Sequence, residues 1–515
     1  MVAVYNKELL SWYLITLKLK ETVEAGLPRS QPPTPSPQLL PPTPPRPLSP
    51  PPPPPGEPEW VVSIRERLEQ ARQDEACCPW AKISIYRVPK SLREGDEKAY
   101  VPQLVSIGPF HRGKKRLRDM ERHKWRSLAM VLRRTGHDVR LYLDAARALE
   151  DRARACYEGS GVNLTSDEFV EAMVLDGFFM LELFRGAAGE GFPALGYSRH
   201  DPVFAMRGSM HSVQRDMIML ENQVPLFVLD RLLGLQIGQA EQRGMVGRLA
   251  VRFFDPLIPT DEPLRKGDRG KLESSLGAAH HLFDPLSEDG LHCLDVFRRS
   301  LLRTTGPQPA PRPWIKRRPH ARRVVLADKR RQQLVHCVTE LREAGVKFRR
   351  KKTDRFWDVE FCNGVLRLPR LLIHDGTKSL FLNLIAFEQC HMDATNDVTS
   401  YVVFMDNLIN SGDDVSYLHY RGIVEHWLGS DDEVADLFNR LCEEVVFDIN
   451  DSYLSGLSEQ VNRYYDNRWN SWRASLKHNY FNNPWAILSL VAAVVLLILT
   501  LVQTFYGVYS YYWPR

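Results

Sequence analysis

The sequence predicts a mainly α-helical body, α+β only by virtue of one small β-hairpin, followed by a single C-terminal transmembrane helix. Three observations carry this prediction. Apolar residues recur at helical spacing behind capping signals, two alternating segments flank Cys362-Asn363-Gly364, and a charge-free apolar run fills 485–502.

The bulk properties set the frame. With 515 residues, 43% hydrophobic and 25% charged, the chain is neither disordered throughout, nor a polytopic membrane protein, nor a fibrous repeat. It is long enough for about two to four domains, or one large domain with tails. Eight cysteines are too sparse for a disulfide scaffold and suit a reducing compartment. A net charge of only +5 gives no reason to expect a nucleic-acid partner.

Residues 1–27 read as a short N-terminal helix. Their apolar stretch at 9–17 makes a poor signal peptide, because Lys18 and Lys20 follow it directly. Residues 28–58 hold 17 of the 36 prolines and read as a disordered, proline-rich linker of polyproline II character. Within it Pro41-x-x-Pro44-x-Arg46 fits one orientation of a groove-binding PxxP ligand.

A globular domain is expected over 80–480. It opens with an extended segment at 83–88, a loop carrying Pro102, Gly108 and Pro109, and a basic helix over 117–134. Thr165 and Glu168 then form a capping box ahead of Phe169, Val170, Met173, Val174, Phe178, Leu181 and Phe184, with Gly186 closing the helix. Residues 303–323, rich in proline, Lys and Arg, interrupt the domain as a disordered basic insertion. Residues 356–361 and 365–373 alternate about the turn as a hairpin. Ser430 and Glu433 signal a second capping box before Val434, Leu437, Phe438 and Leu441. An amphipathic stretch through Leu454, Leu457, Val461, Tyr464, Trp472 and Leu476 leads to a hinge at Asn482-Asn483-Pro484.

The transmembrane helix is placed at 484–510, anchored by Trp485, Leu490, Val495, Leu499 and Val502, with the lipid bilayer as its partner. Trp485 at one end and Tyr506, Tyr509, Tyr511, Tyr512 and Trp513 at the other resemble interfacial aromatic belts. Arg463, Arg468, Arg473 and Lys477 precede the span and only Arg515 follows it. The positive-inside rule therefore puts the bulk of the chain in the cytosol, at the plasma membrane or an endomembrane. The sequons at Asn163 and Asn450 would matter only to a translocated domain.

Several blocks in order carry a resemblance. They include Ile85-Tyr86-Arg87-Val88-Pro89, Val101-Pro102-Gln103-Leu104-Val105-Ser106-Ile107-Gly108-Pro109-Phe110-His111, Met120-Glu121-Arg122-His123, Leu175-Asp176-Gly177-Phe178-Phe179, Leu220-Glu221-Asn222-Gln223-Val224-Pro225, Asn383-Leu384-Ile385-Ala386-Phe387-Glu388 and Asn483-Pro484-Trp485-Ala486-Ile487. Over about 80–510 the chain resembles the plant DUF247 family, also catalogued as the uncharacterised protein family UPF0481. The resemblance implies a large, mainly helical plant domain with a C-terminal membrane anchor and no established enzyme activity. Some family members are associated with self-incompatibility recognition in grasses.

No phosphate-binding loop, serine elbow, zinc helix or Cys-x-x-Cys pair is present. Glu388, Cys390 and His391, with His111 and Glu121, are the best thiolate-and-base constellation, but adjacent Cys390 and His391 point to different faces of a helix. Asp216, Glu221, Asn222 and Gln223 read as groups that satisfy backbone before Pro225. His280-His281 and His292-Cys293 lack converging zinc ligands. Arg116, Arg118, Arg122, Lys124 and Arg126 read as a solvated helix face, with binding of anionic lipid headgroups as the alternative should that face meet the bilayer. The expectation is a non-enzymatic, membrane-anchored protein-interaction or recognition module with unidentified protein partners. It has no catalytic, cofactor-binding or metal residues. The competing class is a membrane-bound hydrolase or transferase.

Overall fold

The computed structural model describes residues 59–77, 83–159, 162–204, 207–238, 244–260, 292–302, 334–353, 355–449, 452–467 and 484–512. The expected N-terminal helix, the proline-rich linker and the basic insertion lie outside the described residues, as do His280, His281, Asn450, Trp472, Leu476, Asn482 and Asn483.

The chain divides into two units at Ala71/Arg72. Helix α1 (Glu59–Cys77) crosses that boundary and exposes Trp60, Ile64 and Leu68 at four-residue spacing. The larger unit continues with α2 (Lys90–Arg93), α3 (Arg118–Thr135), α4 (Val139–Arg147), α5 (Glu150–Arg154), α6 (Ser166–Arg185), α7 (Arg207–Met217), α8 (Leu226–Ile237), α9 (Met245–Phe254) and α10 (Cys293–Leu301). After α11 (Val338–Glu343) come β1 (Lys347–Lys351), β2 (Glu360–Cys362), β3 (Val365–Pro369) and β4 (Leu371–Ile373). The remainder is α12 (Asp375–Cys390), α13 (Asp397–Leu408), α14 (Gly412–Tyr420), β5 (Val424–His426), α15 (Asp431–Leu441), α16 (Ser455–Tyr465) and α17 (Pro484–Tyr512).

Helix α6 organises the first half. Thr165 caps it, accepting from the Glu168 N–H at 3.3 Å while the Glu168 carboxylate accepts from the Thr165 N–H at 2.9 Å, so the predicted box is complete. Every residue from Phe169 to Phe184 except Glu171 is buried, the signature of a helix surrounded by protein. Helices α3, α4, α8 and α9 pack around it. Gly177 permits the approach of α8, since a Cβ there would fall 2.5 Å from Leu232 Cδ1. Tyr142 meets Phe178 edge-on at 4.7 Å, and Phe184 meets Phe253 at 5.3 Å.

Gly186 is the C-cap of α6 as expected, but without a left-handed backbone. Its backbone is helical (φ −61°), and the chain runs through a π-turn to Gly189, whose φ of +127° breaks it. What requires glycine at 186 is space: a Cβ would lie 2.1 Å from the Phe192 ring.

Helices α12, α13 and α15 pack together in the second half, and α10 touches both α9 and α12, so one contiguous core links the two halves. The predicted hairpin forms between β2 and β3, with Asn363 at φ +50° and Gly364 at φ +72°, as a two-residue turn of primed type requires. It is shorter than expected. The segment 365–373 splits after Pro369, and β4 leaves to pair in parallel with β5. Parallel pairing of β1 with β3 completes a sheet of order β1-β3-β2. The second capping box is half formed: Ser430 Oγ accepts from the Glu433 N–H, but the Glu433 carboxylate takes the Gly429 N–H instead.

Helix α17 has 29 residues, about 44 Å at 1.5 Å per residue. Its stretch Val491–Tyr509 has a mean hydropathy of 2.2 and is 0% buried, so one helix is long and apolar enough to cross a bilayer.

Candidate functional site

The segment 83–111 has almost no regular structure, so its backbone polar groups need partners elsewhere. One bridge joins Ile85 to Tyr157. Much of the rest is supplied by buried side chains of α6, of the last turn of α7 and of the turn after it. Asp216 Oδ2 accepts from the N–H groups of Gln103, Leu104 and Val105 at 2.9, 2.6 and 3.1 Å. Asn222 Oδ1 accepts from the Ile107 N–H at 2.6 Å, and its Nδ2 donates to the Val105 carbonyl at 3.0 Å. Asp176 Oδ2 accepts from the Gly108 N–H at 2.9 Å. Glycine is obligatory there, since φ is +70° and a Cβ would lie 2.3 Å from the Gln223 carbonyl oxygen. Glu221 Oε1 accepts from the Val88 N–H at 2.9 Å and from Arg93. Gln223 donates to the Met217 and Met219 carbonyls and accepts from the Leu294 N–H.

Three cations answer these carboxylates. Lys124 is fully buried, with Nζ 2.6 Å from both Asp176 Oδ1 and Glu121 Oε1, and it donates to the Ser106 carbonyl at 2.6 Å. Arg215 pairs with Asp216 and Arg93 with Glu221. Burial raises the Asp176 carboxyl, opposed by Lys124. Burial also pushes Glu221 up, but His111, the Val88 N–H and Arg93 hold it on balance below the usual carboxylate range. His111 is lowered by burial. Its Nδ1 faces the Lys114 ammonium at 2.7 Å and its Nε2 faces Glu221 at 3.3 Å, which fits the neutral ring with the proton on Nε2.

The candidate thiolate-and-base residues have separate partners. His111 belongs to Glu221, and Glu121 to Lys124 and Ser106. Glu388 accepts from Arg298, the Val398 N–H, and the N–H and hydroxyl of Thr399, while burial raises it against those donors. Cys390 is pushed up to about 12 by burial and then by Glu158, so it is a thiol at neutral pH. His391 Nδ1 lies 3.0 Å from Tyr86 Oη. A crevice of about 10 Å³ between Tyr100, Leu382 and Leu441 is lined by none of these. His292 is buried against the Ser84 carbonyl at 2.9 Å beside buried Cys293. Among the described residues no group of three His, Cys, Asp or Glu side chains is arranged to hold a metal.

The basic helix departs from expectation. Arg116, Arg118 and Arg122 are exposed, but Lys124 is interior because Asp176 waits on the facing helix. Arg126 pairs with Asp201 and lies 5.8 Å from the Tyr197 and Phe204 rings. Sequence reasoning also missed Asp176 and Glu182, the latter held by Arg134 and Tyr197. Their signal was a carboxylate inside an uninterrupted apolar helix. Of the five anchor positions, Val495, Leu499 and Val502 are 49%, 58% and 46% exposed. Trp485 and Leu490 lie on the same helix.

A helical body whose irregular N-terminal segment is clamped by interior carboxylates, with an exposed apolar helix C-terminal to it, defines a mainly α-helical protein with a potential single-pass anchor. The family described as "Plant protein of unknown function", DUF247, matches residues 85–499, and the chain belongs to that family. A UPF0481 protein of Arabidopsis thaliana is 33% identical over 448 residues, 85% of this chain and 87% of the relative. A putative UPF0481 protein of the same plant is 26% identical over 520 residues, 88% of this chain and 95% of the relative. No solved structure gives a significant match.

Proposed function

We propose that this chain is a single-pass membrane protein whose helical body faces the cytosol and works by binding other proteins rather than by catalysis. The observation that carries the reading is α17, charge-free over Val491–Tyr509 and 0% buried, a surface that water disfavours and hydrocarbon accepts. The flanking charges support the orientation, with Arg463, Arg468, Arg473 and Lys477 before the span and Arg515 after it. The body's best chemical groups support the non-catalytic part, because the Asp216, Glu221 and Glu388 carboxylates are filled with internal donors and Cys390 is held as a thiol. Confinement to a membrane then restricts the partners the body meets.

Alkaline extraction of membranes from cells expressing the full chain should leave it in the pellet, and protease added to intact microsomes should digest the body. A soluble chain would overturn the anchor; a protected body glycosylated at Asn163 would overturn the orientation. Proximity labelling should lose most partners when the chain is truncated after Pro484. An unchanged partner set would show that the anchor does not organise the interaction.

A further inference from the structure

We propose that the outer face of the three-stranded sheet, carrying Lys347, Arg349, Lys351 and Arg367 with Lys352 beside it, docks on the anionic lipid surface of the bilayer that holds α17. The inference rests on the anchor reading and adds to it a fixed face for the body.

Strand alternation builds the face. In β1, Phe348 is buried while Lys347 and Arg349 are exposed and Lys351 is partly exposed, so the three cations share one side. The parallel register sets Arg349 beside Arg367 of β3, and the antiparallel register sets Arg367 beside Glu360 of β2. Glu360 and Asp358 engage Lys351 at 3.4 and 2.9 Å, and Glu360 engages Arg367 at 3.4 Å. Lys347, Arg349 and Lys352 have no ion pair among the described residues, which leaves the face positive. Charge on an edge strand also discourages edge-to-edge pairing, but either sign serves that purpose. Here all the charge of β1 is positive.

Position selects a lipid surface over other anions. The Lys347 N–H donates to the Gly364 carbonyl at 2.9 Å, at the hairpin turn. Gly364 lies directly against Tyr464, whose Oη would be 2.6 Å from a Cβ, and the Tyr465 ring stacks on His336 at 3.7 Å. Thus α16, the last described helix before the anchor, ends beside the start of β1. Only residues 468–483 separate the body from α17, a reach of at most about 60 Å even if fully extended. A cytosolic leaflet is negatively charged, and each Lys or Arg near it contributes about fivefold in partitioning, so three unpaired cations supply on the order of a hundredfold.

The test is amine acetylation of Lys347 and Lys352, read by mass spectrometry, on the full chain in nanodiscs of phosphatidylcholine with and without phosphatidylserine. Acetylation should be at least several-fold slower on the anionic discs, with the gap closing at high salt. Arg349→Glu should abolish the gap, whereas Arg118→Glu with Arg122→Glu on α3 should leave it. Arg367→Gln, which narrows the gap, serves if Arg349→Glu does not fold. Equal rates on both discs, or a gap that follows the α3 variant instead, would overturn the docking. Co-elution with the discs reports the anchor separately: a chain that never incorporates sinks both readings, and an incorporated chain with equal rates sinks only this one.

Discussion

Lys124 Nζ lies 2.6 Å from Asp176 Oδ1, with Lys124 on α3 and Asp176 on α6, which packs against it, and neither residue is exposed to solvent. A buried pair of this kind contributes little net stability over an apolar pair of similar volume, yet it is costly to break because the survivor is a desolvated charge.

Lys124→Met should therefore lower the stability of the folded body by about 3–5 kcal/mol. Adding Asp176→Asn, whose amide oxygen still accepts from the Gly108 N–H, should recover most of that loss. Chemical denaturation of the two variants is the check, and a double variant no more stable than the single one would refute the account.

Asp216→Ala removes the acceptor for three consecutive N–H groups, those of Gln103, Leu104 and Val105. Leaving buried donors unpaired costs about 1–3 kcal/mol for each one that water fails to reach. Hydrogen exchange should quicken at 103–105 while the amides of α6 stay protected.

Burial depresses His292 to about 4, against the opposing pull of Asp295 and the Ser84 carbonyl. The folded protein then refuses a proton that the unfolded chain accepts below about pH 6.5. Stability from this group is complete above that pH and is lost as pH falls from 6.5 toward 4, on the order of 3 kcal/mol across the window. His292→Phe should flatten this acid limb in melts run from pH 7 downward, while losing about 1 kcal/mol at neutral pH with the Ser84 hydrogen bond.

Gly364→Ala and Gly136→Ala place a methyl at nearly the same backbone angles, φ +72° and φ +70°. Both should lose about 1–2 kcal/mol to left-handed strain. Only at 364 does the methyl meet a neighbour, Tyr464, so faster exchange in α16 should appear in that variant alone.

What was legible in the sequence was local. The Thr165–Glu168 box and the Asn363-Gly364 turn depend on residues within three or four positions, and both formed as read. The pairing of β1 with β3 and of β4 with β5 joins segments whose partners no periodicity names, and both were missed. Lys124 failed for a related reason. Its helix reads as basic on one face, and only Asp176, fifty-two residues onward, converts that position from surface to interior. In the block at 216–223, read as serving the backbone before Pro225, Gln223 does serve the nearby Met217 and Met219 carbonyls, but Asp216, Glu221 and Asn222 serve backbone more than a hundred residues upstream.

That long reach sets where the chain tolerates being shortened. Asp176, Asp216, Glu221 and Asn222 are filled by groups contributed between Val88 and Gly108. A splice variant or protease cut that removes residues up to 82 leaves those acceptors satisfied and retains the described core residues, which begin at Ile85. One that removes residues up to 112 discards all the named partners of Glu221 and the backbone donors of Asp176, Asp216 and Asn222, leaving Asp176 only Lys124 and Asp216 only Arg215, so the product should be degraded instead of accumulating as a shorter form. By these contacts, natural variation in length is expected upstream of Ile83 rather than between Val88 and His111.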